Sequence, residues 1–112
     1  MIAKKFRLHK KSDFDELAKS SNKFYSNNFV LRFVKNNEDL NCFAVVVSKK
    51  ISLKAVVRNK IRRRIYEIIR LKMDSFKKGF NIIIFIKKGV LEMEYSDLEK
   101  ELLYLFEKSK LI

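Results

Sequence analysis

The chain predicts an α+β fold: a single domain, built as a two-layer sandwich of helices on a mixed four-stranded sheet, in the order αβββαβα. Three observations carry that prediction. At 112 residues there is chain enough for one modest core, and 47% hydrophobic residues with ten Phe and four Tyr belong to a folded protein. Apolar residues alternate with period two across residues 23–47, and stripes of helical period lie before and after. No repeat, low-complexity tract or Gly/Ser/Pro linker divides residues 1–112; proline is absent and glycine occurs only at 79 and 89.

The first helix opens in KSDFDELAKSSN, with Ser12 as N-cap and Asp15 three residues on, an acidic form of the capping box. Phe14, Leu17 and Ala18 then share a face. KFYSNNFVLRFVKNNEDLNCFAVVVSKK reads as three strands with turns at 26–28 and 36–41. Phe29, Leu31 and Phe33 alternate with Val30, Arg32 and Val34. In the next strand Phe43, Val45 and Val47 alternate with Cys42, Ala44 and Val46, so both of its faces require cover. A basic helix follows from about Ala55 to the low seventies. After Gly79, FNIIIFIKK is a β-branched central strand whose apolar run, 82–86, is far too short to span a bilayer. The last helix, in YSDLEKELLYLFEKSK, starts at a capping box from Ser96 to Glu99 and aligns Leu98, Leu102, Leu105 and Phe106.

Charge narrows the function. A formal net charge of +13 on a folded domain of this size points to a polyanionic partner. Residues 48–72 hold ten Lys/Arg against one acid, Glu67. In that helix Val57, Ile61, Ile65, Ile68 and Ile69 span about 120° of arc, a core-facing stripe. Asn59, Lys60, Arg62, Arg63, Tyr66 and Arg70 occupy the remainder. An ordinary solvated helix mixes signs, because like charges at i,i+4 repel; here Arg58/Arg62 and Lys60/Arg64 are like-charged pairs. Guanidinium groups also match phosphate oxygens bidentately, which favours nucleic acid over a generic acidic surface. No helix-turn-helix pair, zinc ligands or zipper accompanies the helix, so folded RNA suits it better than a DNA groove.

Other side chains have plainer readings. His9 stands alone and reads as a surface residue, and the single Cys42 as a small buried hydrophobe rather than a nucleophile. One cysteine and no apolar leader in MIAKKFRLHKK assign a reducing cytoplasm. Asp13, Asp15 and Glu16 serve the first turn of their helix. Glu92, Glu94, Asp97, Glu99 and Glu101 make the C-terminal region the acidic exception, facing away from RNA. No acid pair sits near the basic helix, which disfavours a nuclease acting by itself.

At the level of motifs, VSKKI followed by AVVRNKIRRRIYE resembles the signature of the bacterial ribonuclease P protein subunit. RLHKKSDF is similar to that family's opening R-L-x-x-x-x-D-F, NNFVLRFV to its next strand, and FNIIIFIKKG to its D-Y-I-I-I strand. The resemblance implies a small basic partner of a catalytic RNA that removes the 5′ leader of precursor tRNA. It implies Mg²⁺ held by that RNA and the substrate rather than by a protein site, no obligate protein partner, no membrane, and a left-handed βαβ crossover against the usual rule. It further implies a cleft between the basic helix and the sheet that receives the single-stranded leader.

Position by position, the resemblance assigns Arg58, Asn59, Lys60, Arg62 and Arg63 to the RNA subunit. Arg7, Phe14, Arg32, Lys49 and Lys50 are assigned to the leader, with Phe14 able to stack on a base. Departures fall at four places. Tyr66 stands where a basic residue usually ends the signature, so Tyr66 as a stacking group and Arg70 one turn later are the candidates to replace it. Ala18 stands where a second helix-one aromatic is expected. Ser52-Leu53-Lys54 replaces a Gly-Asn turn, and Arg32 replaces a frequent aromatic. Two other readings stay open: a structural rRNA-binding protein of similar fold, and adsorption to an anionic membrane.

Overall fold

The computed structural model describes residues 3–112. Its helices are α1 (Lys11–Ala18), α2 (Ala55–Leu71) and α3 (Tyr95–Lys108), and its strands β1 (Lys23–Tyr25), β2 (Phe29–Lys35), β3 (Cys42–Val46) and β4 (Phe80–Ile86). The expected αβββαβα order holds, with three short 3₁₀ turns added. The sheet runs β1-β2-β4-β3, antiparallel except for β3 beside β4, so β3-α2-β4 is a parallel crossover unit.

Alternation along the strands sorts the side chains. One face presents Phe29, Leu31, Phe33, Phe43, Val45, Ile82 and Ile84 to α2 and α3, and with Ile61, Ile65, Ile68, Leu102 and Phe106 they form the main core. Phe76 ties its two ends together through edge-on packing against Phe43 and Phe106, at 5.2 and 4.8 Å between ring centres. The other face is covered only in part. There Leu17 of α1 packs on Ala44 and Ile83, with Phe14, Val34, Val46 and Phe85 half-buried around them. The two-layer sandwich thus carries a partial third layer, which answers the requirement that β3 be covered on both sides.

The two expected capping boxes are not formed. α1 starts at Lys11 with Lys10 at its N-cap, which places Ser12 inside the helix; the Lys10 carbonyl accepts from the N–H groups of Asp13 and Phe14. The preceding chain is fixed to the sheet by an Arg7–Phe43 bridge and by Leu8 N–H donating to Phe43 O at 2.8 Å. The helix begins as soon as the chain leaves that edge. α3 starts at Tyr95 with Glu94 at its N-cap, because Met93 and Tyr95 pack on the core and draw the first turn forward of Ser96.

Polar anchors hold the turns. Asn41 is buried, donating from Nδ2 to Lys77 O and accepting from Phe80 N–H, both at 2.8 Å. At the β1–β2 turn, Glu101 of α3 accepts from Asn28 N–H and Asn28 Nδ2, each at 2.8 Å, and from the Ser26 hydroxyl. Part of the acidic C-terminal region therefore has a structural task. Among the described residues no helix is long and apolar enough to cross a membrane.

Candidate nucleic-acid interface

α2 runs over its whole expected length and turns its isoleucines to the sheet; Ile65, Ile68 and Ile69 are fully buried. Asn59, Lys60, Arg63 and Arg70 are exposed, while Arg58, Arg62 and Arg64 are half-buried. The Arg70 guanidinium pairs bidentately with Glu67, at 2.5 and 3.0 Å, and holds that carboxyl below its ordinary value. This is the only ion pair among the described residues. Among the described residues Lys60, Arg62, Arg63 and Arg64 meet no carboxylate. Arg70, the candidate replacement for the missing signature charge, is instead largely neutralised by its neighbour.

Tyr66 requires correction. Rather than facing outward as a stacking group, it is 6% exposed, and its hydroxyl accepts the N–H of Val45 at 3.2 Å. The N-terminal segment bridged to the β3 edge widens the buried arc of α2 beyond its isoleucines, and Tyr66 closes that arc. Burial pushes its phenol above the usual value of 10.0. The proton is therefore held more tightly in the folded chain than in the unfolded one. Its contribution to stability is full below pH 10.0 and is lost as pH rises through the raised value. Tyr66→Phe should cost about 1 kcal/mol at neutral pH, because the buried Val45 N–H is left without its acceptor. Thermal melts of the two proteins should converge as pH climbs above 10.0; a constant gap would argue against this.

The altered turn before α2 is well defined. Ile51 is buried, Ser52 Oγ accepts from Lys54 N–H at 3.2 Å, and Ser52 O accepts from Arg58 Nη1 at 2.9 Å. One signature arginine thus braces the turn. Asn59 Oδ1 accepts from Arg62, which orients that guanidinium along the helix surface. Lys49 and Lys50 are exposed in the segment leading into this turn. Arg7 lies beside Tyr66 and Arg62, in a concavity shared with Lys4, Leu8 and His9; its Nε is out of solvent and without a hydrogen-bond partner.

Phe14 and Arg32 lie elsewhere. They line a groove of about 370 Å³ with Leu17, Ala18, Lys23, Val30, Ile83 and Phe85. Arg32 Nη1 donates to Ala18 O at 2.6 Å, closing the end of α1. This groove lies between α1 and the sheet, whereas the space between α2 and the sheet, where the resemblance implied a cleft, is filled by core. Phe14 and Arg32 are brought together; Arg7 lies beside α2, Lys49 and Lys50 precede that helix in the chain, and none of the three lines this groove. Val30, Phe85 and Lys23 were not singled out from sequence, because strand alternation shows which residues share a face but not which face α1 leaves open.

His9 is exposed, its Nδ1 3.3 Å from Arg7 O. Cys42 is half-buried, with burial raising its thiol and its Sγ 3.6 Å from Lys5 O. Both line a cavity of about 260 Å³ with Asp13, Glu16 and Glu38, and among the described residues each makes its hydrogen bond to a backbone carbonyl rather than to the other or to a carboxylate. Among the described residues, no three His, Cys, Asp or Glu side chains are placed to hold a metal ion.

An almost acid-free arginine helix on one side and a cation-rimmed apolar groove on the other define a class, the small basic α+β proteins suited to nucleic acid. Comparison with known proteins is specific. The family model for ribonuclease P matches residues 2–110. The ribonuclease P protein component of Fusobacterium nucleatum is 34% identical over 109 residues, covering 94% of this chain and 97% of that one. That of Streptococcus pneumoniae is 32% identical over 110 residues, covering 98% and 89%. Among solved structures, the RNase P protein of Thermotoga maritima superposes with a TM-score of 0.83 at 29% identity, covering 91% of this chain and 96% of that one. A mutant RNase P protein of Staphylococcus aureus gives 0.88 at 27%, covering 97% and 92%. The chain belongs to the ribonuclease P protein family.

Proposed function

We propose that the chain is the protein subunit of a ribonuclease P ribonucleoprotein, binding the catalytic RNA through α2 and the 5′ leader of precursor tRNA through the α1 groove. The observation that carries this reading is the separation of the two surfaces. Among the described residues Lys60, Arg62 and Arg63 on α2 meet no carboxylate, while Phe14, Arg32 and Lys23 frame an apolar trough on the other sheet face. A folded RNA backbone suits the first, and an unpaired strand with free base faces suits the second.

Hydrolysis of the phosphodiester falls to the RNA in this reading, because neither surface assembles a nucleophile with a base. Cations and apolar groups predominate at both surfaces, and the amide oxygen of Asn59 on α2 already accepts from Arg62, whereas a hard divalent cation takes several oxygen ligands. Mg²⁺ is accordingly assigned to RNA and substrate phosphates. The subunit acts by neutralising phosphate repulsion and by adding leader affinity.

Reconstitution tests it. The purified chain added to its cognate RNA subunit should restore leader cleavage at low Mg²⁺. RNA binding without any effect on processing would support the structural rRNA-binding alternative instead. Within the same assay, Phe14→Ala should lower affinity for precursor tRNA by about 1–3 kcal/mol while leaving leaderless tRNA unaffected. Equal weakening on both would mean that Phe14 only packs.

A further inference from the structure

The open face of the sheet carries a second row of side chains beyond Phe14. Tyr25 pairs with Val30 across β1 and β2, and Val30 pairs with Phe85 across β2 and β4. Directly paired residues point to the same face of a sheet, so the three form a line over three strands. Val30 and Phe85 already line the α1 groove. Phe24 points the other way and stacks on Phe33, which leaves Lys23 and Tyr25 on the groove side. Tyr25, at the outer end of the row, is 53% exposed.

Two ammonium groups gather on that ring. Lys23 Nζ lies 4.8 Å and Lys87 Nζ 5.9 Å from its centre, and Lys87 Nζ also donates to Ser26 O at 3.1 Å. Among the described residues neither has a carboxylate within salt-bridge distance. A strand-edge tyrosine with one lysine stem lying over it would be ordinary surface. Two like charges converging on one ring, with no acid to relieve them, are better satisfied by phosphates on either side of a base that takes the ring. Meanwhile Ala18 removes the second ring from α1, and its small side chain leaves Phe85 uncovered at the groove.

We propose that Phe85 and Tyr25, with Lys23, Arg32 and Lys87, continue the leader groove across β2 to the β1 edge and give the RNA strand a second stacking position on the sheet. This rests on the reading in which Phe14 meets the leader. β4 and β1 are two strand spacings apart, roughly 10 Å. A base seated between Phe14 and Phe85 therefore does not reach Tyr25, and only a longer leader does. The sheet, rather than α1, supplies the second aromatic in this chain.

The test uses holoenzyme reconstituted with each variant and precursor tRNAs whose leaders are shortened one nucleotide at a time. Wild-type affinity should rise in a step once the leader is long enough to reach Tyr25. Tyr25→Ala should abolish that step, a loss of roughly five- to 150-fold confined to the longer leaders, and Tyr25→Phe should retain it. Lys23→Gln with Lys87→Gln should lower the salt dependence for long leaders only. Equal affinities for Tyr25→Ala and wild type at every length, or a loss that includes leaderless tRNA, overturns the proposal. If Phe14→Ala still shows its leader-dependent loss, the α1 groove survives without the extension; if that loss is absent too, the parent reading fails with it.

Discussion

Replacing Lys60, Arg62 and Arg63 together by glutamine should weaken binding to the RNA subunit by about a hundred-fold or more near 0.1 M salt. Each side chain lies on the outward flank of α2, and none is engaged by a carboxylate among the described residues. Every phosphate that the variant no longer neutralises keeps its condensed counterion, so the slope of log K against log[salt] should fall by about two to three. Stability should hold or rise slightly, since like-charge repulsion along the helix is relieved and the buried isoleucines are untouched. Arg70→Gln is the contrasting arm. Its guanidinium already pairs with Glu67 and should contribute little to the slope. Binding isotherms at several salt concentrations decide it; an unchanged slope for the triple variant would remove α2 as the RNA-facing surface.

Glu101→Ala should destabilise the fold by about 2–3 kcal/mol, a large effect for a residue that is not itself part of the apolar core. The carboxylate gathers Asn28 N–H, Asn28 Nδ2 and the Ser26 hydroxyl, and nothing else in the structure takes over those donors. Gly89 is part of the same unit. A Cβ added there would collide with Asn28 Oδ1, on a side chain that cannot swing aside while Glu101 holds it. Gly89→Ala should therefore be costly in the wild-type background and markedly cheaper once Glu101 is alanine. Denaturant unfolding of both single variants and the double variant measures that coupling. Additive destabilisation would show that Asn28 moves freely and that the anchor is not rigid. Because this turn joins β1 to β2, its loosening should also disturb Tyr25 at the end of the strand.

Much of the architecture was legible in the order of residues. The seven elements follow from period-two and helical-period patterning, and α2 from Ala55 to Leu71 agrees with the stripe of Val57, Ile61, Ile65 and Ile68. These are local properties, set by which face of one element is apolar. The acid-poor charge of residues 48–72 is equally local, and burial cannot reverse it, because unpaired arginines must stay at a surface. The family signature lies in the same contiguous stretches.

What remained hidden depended on distant segments meeting. Tyr66 reads as outward on a helical wheel, but the strand edge formed by Arg7 and Phe43 buries its flank. Ser12 and Ser96 read as caps, but packing on either side starts each helix earlier. The groove needed α1 to settle on the sheet face opposite α2, a choice that one-dimensional periodicity leaves undetermined. Sequence determined the elements, their apolar faces and the sign of the exposed charge. Only the tertiary structure decided which faces were covered, and hence that Phe14 and Arg32 share a trough while Arg7 stands with the basic helix, because cover is a property of pairs of elements rather than of one.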